Sequence, residues 1–267
     1  MIAARYQVDT DHTLVAWTVN HMGLTPLSGA RTLDWDVRGI GRHVMAARMA
    51  NPLGPWISFT WPAFTGVNQA VAAGRFAGAI NQPTLVRRLG VEALDRLLSH
   101  GSIWRSKFLQ PIHLLRRAFE TAPDFETARR MLETTPVTTP VIFTLAGIRA
   151  DQTVTIERLP TEHATSADAF AANEWRTIAP ERLHHHAFEN DARLKAMRMA
   201  AVDLDPEFTW VRWPILNPDT RLAMIADPST AEITARGYEG GRPATRVLKL
   251  REPVSQSRYV GAIPRCE

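Results

Sequence analysis

Apolar and polar residues alternate loosely at the start of the chain, a pattern typical of half-buried strands. The alternation predicts a strand over residues 13–19 and the beginning of another at residues 24–27, with a turn at the intervening Asn-His-Met-Gly. Two apolar runs, residues 56–64 and 74–82, also have the length of strands. The chain is therefore predicted to begin with β structure.

The period of the apolar residues then changes from two to that of a helix. Phe108, Ile112, Leu115 and Phe119 are spaced by four, three and four residues, which places them on one helical face. Pro111 falls inside this run, and proline is tolerated in the first turn of a helix but not in its interior. The sequence therefore predicts a helix that either kinks at Pro111 or begins late.

A second helix is predicted directly after Asp124, because aspartate is a favourable N-cap residue. Pro136 ends the pattern. The apolar stripe of this helix consists of Phe125, Ala128, Met131 and Leu132.

The rest of the chain returns to strands, with one helix between them. Residues 140–147 and 153–159 predict one hairpin, residues 193–202 a helix, and residues 220–236 a second hairpin turned at Asp-Pro-Ser-Thr. Residues 239–267 form a polar, arginine-rich tail. This order favours the α+β class, with antiparallel sheets and helices packed on them, in a single domain of residues 1–267.

Composition excludes several classes of protein. The chain has 267 residues, 45% of them hydrophobic and 22% charged, which is ordinary for a globular protein. Its one cysteine, Cys266, excludes an internal disulfide framework. The net charge of +4 comes from scattered arginines, which argues against a nucleic-acid partner. We expect no membrane span, because no apolar run reaches about 18 residues, and a cytoplasmic location, because the N-terminus lacks an apolar signal core.

Candidate chemistry is concentrated where the second predicted strand ends. Within residues 27–37 lie Arg31, Asp34, Trp35 and Asp36. A guanidinium beside carboxylates is either a structural ion pair at a strand end or the floor of an active site.

Several longer blocks of the sequence resemble the acid ceramidase family. That family belongs with N-acylethanolamine acid amidase, penicillin V acylase and bile salt hydrolase, all N-terminal-nucleophile hydrolases that cleave linear amide bonds. The resemblance implies a four-layer αββα sandwich with antiparallel sheets. It extends over roughly residues 31–238, and its blocks are residues 61–82, 121–147, 154–159, 171–176 and 213–236.

The resemblance also implies roles for individual residues. "GARTLDW" resembles the family motif Gly-Arg-x-x-Asp-Phe/Trp, with Ala30 inserted before the arginine. Arg31 would then lie beside the scissile amide, and Asp34 would orient the α-amine that acts as the base. In "AANEWR", Asn173 matches the family's oxyanion donor, and in "ENDARLKAM", Arg193 matches a further active-site arginine.

The nucleophile of that family is missing. Its mature chain starts with a cysteine, yet the segment before Arg31 contains none, and Cys266 is the penultimate residue. Thr13 is the nearby residue with a usable hydroxyl on the first strand, but it would need cleavage after His12 to free its own α-amine. Nothing in "TDHT" suggests self-cleavage.

Residues 5–29 carry a second resemblance, to the first strands of the YceI-like family of small lipid-binding β-barrels. The cues are "YQVDTDHT" and "VNHMG". A barrel cannot follow, because the next blocks resemble the amidases instead. We therefore expect an atypical N-terminal hairpin, residues 1–29, on an amidase-like body.

Substrate contacts are expected from aromatic and amide side chains, and neither a metal nor a cofactor is expected. The alternative is a purely structural role, with the aromatic residues in the core and the asparagines in turns. The run His184–His186 points in several directions on any regular element, which favours a solvated loop over a metal site. The candidate substrate-binding residues are Trp35, Trp61, Asn81 and Trp175.

Two functions remain open at this point. The first is a linear amide hydrolase that acts on an N-acyl amide; without the cysteine it is either inactive or uses another nucleophile. The second is a catalytically silent protein that binds an acyl or lipid-like ligand on the same fold. Lipid binding in the YceI manner is a weaker third possibility, since it would need a barrel.

Overall fold

The computed structural model describes residues 14–18, 28–35, 37–83, 89, 91, 105–168, 170–178, 190–230 and 232–251. Outside these ranges lie Thr13, Cys266, His12, His21 and the run of three histidines at 184–186. The described chain forms two antiparallel sheets, which we call sheet I and sheet II, with helices on their outer faces.

Sheet I contains strands from both ends of the described chain. The hairpin predicted at residues 220–236 is present and pairs with the strand that carries Arg31 and Asp34. The strand order is β10-β1-β2-β11-β12-β13, and β14 also pairs with β12. The strands are β1 (Leu14–Thr18), β2 (Ser28–Asp34), β10 (Phe170–Ala171), β11 (Thr220–Asp227), β12 (Glu232–Glu239), β13 (Arg242–Pro243) and β14 (Leu248–Arg251).

Sheet II is a meander in which every strand pairs with the next one along the chain. It includes the predicted hairpin at residues 140–159, whose strands pair from Val141 with Arg158 to Ala146 with Thr153. Its strands are β3 (Met45–Met49), β4 (Trp56–Thr60), β5 (Gln69–Ala72), β6 (Phe76–Asn81), β7 (Val141–Ala146), β8 (Thr153–Arg158) and β9 (His163–Ser166).

The two sheets pack face to face over a core that is rich in small side chains. Leu33 on β2 and Met224 on β11 meet Ile57 and Phe59 on β4. Between them lie the buried alanines Ala77, Ala79, Ala146, Ala226 and Ala235. Small residues at facing positions allow the sheets to approach closely without leaving voids.

Helices α1 (Pro111–Thr121) and α2 (Phe125–Thr134) cover the outer face of sheet II. Pro111 is the first residue of α1, so the late helix start is confirmed, and Phe108 lies outside the helix and is exposed. Asp124 caps α2, since its side chain accepts the backbone N–H of Thr127 at 2.8 Å.

Two buried arginines cap the C-terminal ends of these helices, one from the turn between β5 and β6 and one from β8. Arg75 donates to the carbonyls of Phe119 and Ala122, at 3.2 and 2.7 Å, at the end of α1. Arg158 donates to the carbonyls of Leu132 and Thr135 at the end of α2. A cation at this position satisfies carbonyls that have no partner within the helix and favours the negative end of its dipole.

Helix α3 (Asn190–Ala200) covers the outer face of sheet I. Leu194 and Met197 pack there with Trp210 and with Ala223 of β11. Helices, sheet II, sheet I and α3 thus make four layers, so the α+β class and the four-layer αββα sandwich are confirmed. No helix among the described residues combines the length and the apolar character that crossing a bilayer requires.

Part of the chain assigned to the polar tail is ordered on sheet I. β14 pairs with β12 from Glu232 opposite Arg251 to Ala235 opposite Leu248, and Leu248 packs against the core between the sheets. The polar composition of the segment hid this strand, because only two apolar residues alternate along it.

Candidate active site

Arg31 and Asp34 lie on the same strand but face different layers. Side chains alternate along a strand, and Leu33 of β2 is part of the core between the sheets. Arg31 therefore points between the sheets and Asp34 towards α3. The ion-pair partner of Asp34 is Arg193 of α3, so the strand-end pair considered for Arg31 and Asp34 is not what the structure contains.

The Asp34 carboxylate is buried and held on one oxygen. Its Oδ2 accepts from Arg193 Nη2 at 2.5 Å and from Asn217 Nδ2 at 2.7 Å, and the charged side chains of Arg193 and Asp34 are only 2% and 1% exposed. Its Oδ1 is buried, and no group among the described residues hydrogen-bonds to it. Burial raises the pKa of Asp34, and Arg193, Asn217 and Thr220 counteract that rise.

Asn217 is a site residue that the sequence did not single out. Its Oδ1 accepts the backbone N–H of Asp219 at 2.8 Å, so its Nδ2 is turned towards Asp34. The backbone carbonyl of Asp219 in turn accepts the backbone N–H of Trp35 at 2.8 Å. The only signal in the sequence was a turn-forming Asn-Pro-Asp before β11, and a turn does not reveal which carboxylate it will meet.

Arg31 connects the two sheets. Its Nη1 donates to the carbonyl of Asn68 at 2.5 Å and its Nη2 to that of Ile80 at 2.7 Å, both in or near sheet II. Its Nε is buried and has no hydrogen-bond partner within the described part of the chain. Burial lowers the pKa of Arg31 to about 9, and the negative charge of Asp34 acts in the opposite direction.

Asn173 meets the same end of β6. Asn81 Nδ2 donates to Asn173 Oδ1 at 3.1 Å, and both side chains are buried. Since Oδ1 accepts this bond, the donor end of the Asn173 amide, Nδ2, is turned away from Asn81. Arg31 and Asn173 thus contact successive residues of β6, Ile80 and Asn81. The five candidates thus form two groups: Arg31, Asn81 and Asn173 meet at the end of β6, and Asp34 pairs with Arg193 on the other face of β2.

The aromatic candidates separate into two places. Trp35, Trp61 and Phe64 form an edge-to-face cluster with ring centroids 5.4 to 6.4 Å apart. Trp61 donates its indole N–H to the carbonyl of Ile40 at 2.8 Å, whereas the buried indole N–H of Trp35 finds no acceptor in the described ranges. Trp175 packs elsewhere, with Leu159 and Ile178.

The strand expected to carry the nucleophile is β1, between β2 and β10. Its backbone places Leu14 opposite Thr32 and Val15 opposite Arg31. Thr13 directly precedes this strand but is outside the described residues, so its role as a nucleophile stays a prediction. Within the described part of the chain, no three His, Cys, Asp or Glu side chains are grouped as a metal site requires.

Comparison with solved structures shows which fold this is. No protein-family model matches the sequence, and no curated protein matches it significantly. The Caenorhabditis elegans ortholog of N-acylethanolamine-hydrolyzing acid amidase superposes with a TM-score of 0.60 at 14% identity, covering 81% of this chain and 92% of that one.

Two bacterial structures give the same result. Penicillin V acylase from Agrobacterium tumefaciens has a TM-score of 0.52 at 12% identity, covering 89% of this chain and 86% of that one. A mutant of the conjugated bile acid hydrolase from Clostridium perfringens has a TM-score of 0.53 at 7% identity, covering 90% of this chain and 92% of that one. The chain has the sandwich fold of the N-terminal-nucleophile hydrolases.

Proposed function

We propose that this chain is, by descent, a linear amide (C–N) hydrolase whose substrate is an N-acyl amide. The observation that carries the proposal is the Asp34 carboxylate, buried in the sandwich with Oδ2 held by Arg193 and Asn217 and Oδ1 left without a partner. An unsatisfied buried acceptor costs about 1–3 kcal/mol. Such an oxygen suits a site that receives an N–H donor, here the α-amine of an N-terminal nucleophile.

The roles of Asn173 and Arg31 follow from the N–H groups that they can offer to the substrate. Attack on the amide carbonyl carbon makes a tetrahedral intermediate whose oxygen becomes negative. The Nδ2 of Asn173 would donate to that oxygen as a fixed dipole without charge. Arg31 would lie beside the carbonyl and offer the Nε that has no partner. The α-amine takes the proton of the nucleophile and returns it to the leaving amine, and water then hydrolyses the acyl-enzyme.

Substrate selection is assigned to the aromatic cluster of Trp35, Trp61 and Phe64. It follows Asp34 directly along the chain, and its apolar ring edges suit an acyl chain. Asn81 would act through Asn173, to which it donates. Trp175 packs in another cluster, which favours support of the segment around Asn173 over direct contact with substrate.

The proposal does not identify the nucleophile, and this gap favours a second candidate function. β1 has the sequence Leu-Val-Ala-Trp-Thr, with Leu14 and Val15 opposite Thr32 and Arg31. Neither residue is a nucleophile, and Thr13 would need cleavage after His12. A catalytically silent protein that binds an acyl or lipid-like ligand on the same fold is therefore the alternative.

One experiment on the full chain separates the two functions. Purified protein is incubated with N-acyl amino acids, an N-acylethanolamine, ceramide and penicillin V, and released acid is measured by mass spectrometry. Intact mass spectrometry of the same sample shows whether the chain has been cut before Thr13. An amide hydrolase should be cut and should release acid, and Asn173→Ala should lower kcat by about a hundredfold or more.

Asp151→Asn is the matched control, since it neutralises an exposed loop carboxylate and should leave turnover unchanged. An uncut chain that binds a substrate saturably without releasing acid, and loses that binding in Asn173→Ala, supports the silent binder. An absence of both binding and turnover across the panel contradicts both functions.

A further inference from the structure

We infer that Glu157 is a positioning residue for Asn173, which it controls by holding the backbone of the segment that follows. The inference rests on the proposed function, in which Asn173 is the oxyanion donor. Glu157 lies on β8, in sheet II, whereas the segment of residues 172–178 continues from β10 of sheet I.

The carboxylate of Glu157 binds three consecutive backbone N–H groups. Its Oε1 accepts from Arg176 at 2.6 Å and from Thr177 at 3.1 Å. Its Oε2 accepts from Thr177 at 3.0 Å and from Ile178 at 2.7 Å. Glu157 is only 3% exposed, and the described residues give it no ion pair with a cation. Among the described residues, the backbone amides of this segment are what stabilises its charge.

Glu157 stands in the same cross-strand row as the residue that binds Asn173 directly. Asn81 on β6 pairs with Ile142 on β7, and Ile142 pairs with Glu157 on β8. Residues directly opposite each other in neighbouring strands project from the same face of the sheet. Neighbouring strands are about 4.8 Å apart, so Asn81 and Glu157 are separated by roughly 10 Å along one row.

The two ends of this row hold two points of the same segment. Asn81 binds the side chain of Asn173, and Glu157 binds the backbone that begins three residues later, at Arg176. With both points fixed to one rigid sheet, the amide of Asn173 is set in direction as well as in place. Misplacement of a catalytic group by about 1 Å can lower a rate by about a hundredfold.

A purely structural cap is the competing explanation, since Trp175 and Ile178 already bury this segment against Leu159. A structural cap would lower stability without acting through Asn173. A positioning residue must act through Asn173, and the effect of removing it must disappear when Asn173 is absent. A double-mutant cycle measures this difference.

The test compares Glu157→Gln, which keeps the size of the side chain but turns an amide NH2 towards backbone donors, with Glu133→Gln. Glu133 pairs with Arg129 on α2 and is the control for loss of a partly buried carboxylate. In the isotope-labelled full chain, the side-chain amide NMR signals of Asn81 and Asn173 should shift in Glu157→Gln and stay in place in Glu133→Gln. Unshifted Asn173 signals in a folded Glu157→Gln protein would overturn the inference.

The kinetic arm uses the N-acyl amide that the wild-type chain turns over best. Glu157→Gln should lower kcat by about tenfold to a hundredfold with little change in KM, and should add little to Asn173→Ala. Multiplicative effects of the two substitutions would overturn the inference and support the structural cap. If the wild-type chain turns over no substrate while the Asn173 signals shift as expected, the proposed hydrolase fails and the positioning by Glu157 stands.

Discussion

At the scale of single residues, Arg31 and Asp34 are three positions apart on β2, so their charged side chains project from opposite faces of the sheet. Arg31 reaches carbonyls of sheet II, whereas Asp34 meets Arg193 from the helix on the other side of β2. This division gives each charge its own compensation, and it leaves one atom of each side chain, Nε of Arg31 and Oδ1 of Asp34, without a partner among the residues that the structure describes. In the proposed function, Oδ1 receives the α-amine and Nε lies beside the substrate carbonyl.

Removing Arg193 should expose how much Asp34 depends on it. Arg193→Leu leaves a buried carboxylate without its cation, which should lower the free energy of unfolding by about 3–5 kcal/mol at neutral pH. Arg198→Leu is the matched control on the same helix, because Arg198 pairs with Asp168 at the surface. It should cost about 1 kcal/mol or less. Urea denaturation measures both, and equal losses would contradict the role of Arg193.

The deficit of Arg193→Leu should shrink as the pH falls. Burial raises the pKa of Asp34 above that of an unfolded chain, so the folded state binds this proton more tightly. The contribution of Asp34 to stability is therefore largest at low pH and is lost as the pH rises through the folded-state pKa. Loss of Arg193 raises the pKa further. Denaturation across a pH series should show the variant approaching wild type on the acid side, and a deficit independent of pH would contradict this.

At the scale of elements, the sequence predicted what depends on local pattern. Both hairpins, α1 with its late start and the N-cap of α2 follow from spacing and from single residues such as Pro111 and Asp124. The caps at the other ends of these helices come from Arg75, in the turn between β5 and β6, and from Arg158 on β8, both more than 20 residues away in the sequence. No local pattern contains such a partner, which is also why Asn217 and Glu157 were missed as site residues.

Arg75 provides a test of this long-range capping. Arg75→Met keeps the apolar stem but removes the donors to Phe119 and Ala122 at the end of α1, which should cost about 2–3 kcal/mol, since hydrogen bonds to charged groups are strong. Arg116→Met, which breaks a half-exposed pair with Glu120 on the same helix, should cost below about 1 kcal/mol. Chemical denaturation compares them, and a similar small loss in both variants would show that the cap contributes little.

At the scale of the whole molecule, the space between the sheets is set by small residues, and Arg31 crosses it. Ala79 lies in that core on β6, one residue before Ile80, whose carbonyl accepts from Arg31. The resemblance predicted the layers, because whole blocks of sequence specify them. It could not predict the nucleophile, because the first strand departs from the pattern that the remaining blocks follow.

Enlarging the core between the sheets should therefore disturb the site as well as stability. Ala79→Leu should cost about 1–3 kcal/mol by overpacking and should weaken ligand binding by lengthening the bonds from Arg31 to sheet II. Ala47→Leu, on the half-buried edge strand β3, should change both quantities by much less. Calorimetry for stability and titration with the best ligand of the substrate panel provide the measurements. A destabilised Ala79→Leu variant that binds the ligand with wild-type affinity would contradict the claim that the site depends on the packing between the sheets.

The row of Asn81, Ile142 and Glu157 also limits how the gene for this protein can change in length. Deletion of one codon inside β7 or β8 would shift the ladder by a single step, and side chains that now face sheet I would then face the helices. Glu157 would then face the apolar core between sheet II and the helices, away from the backbone amides that it binds. We therefore expect these strands to tolerate single substitutions. A one-codon insertion or deletion there would remove both the contacts of Asn81 and Glu157 with the segment of residues 172–178 and the packing of the fold.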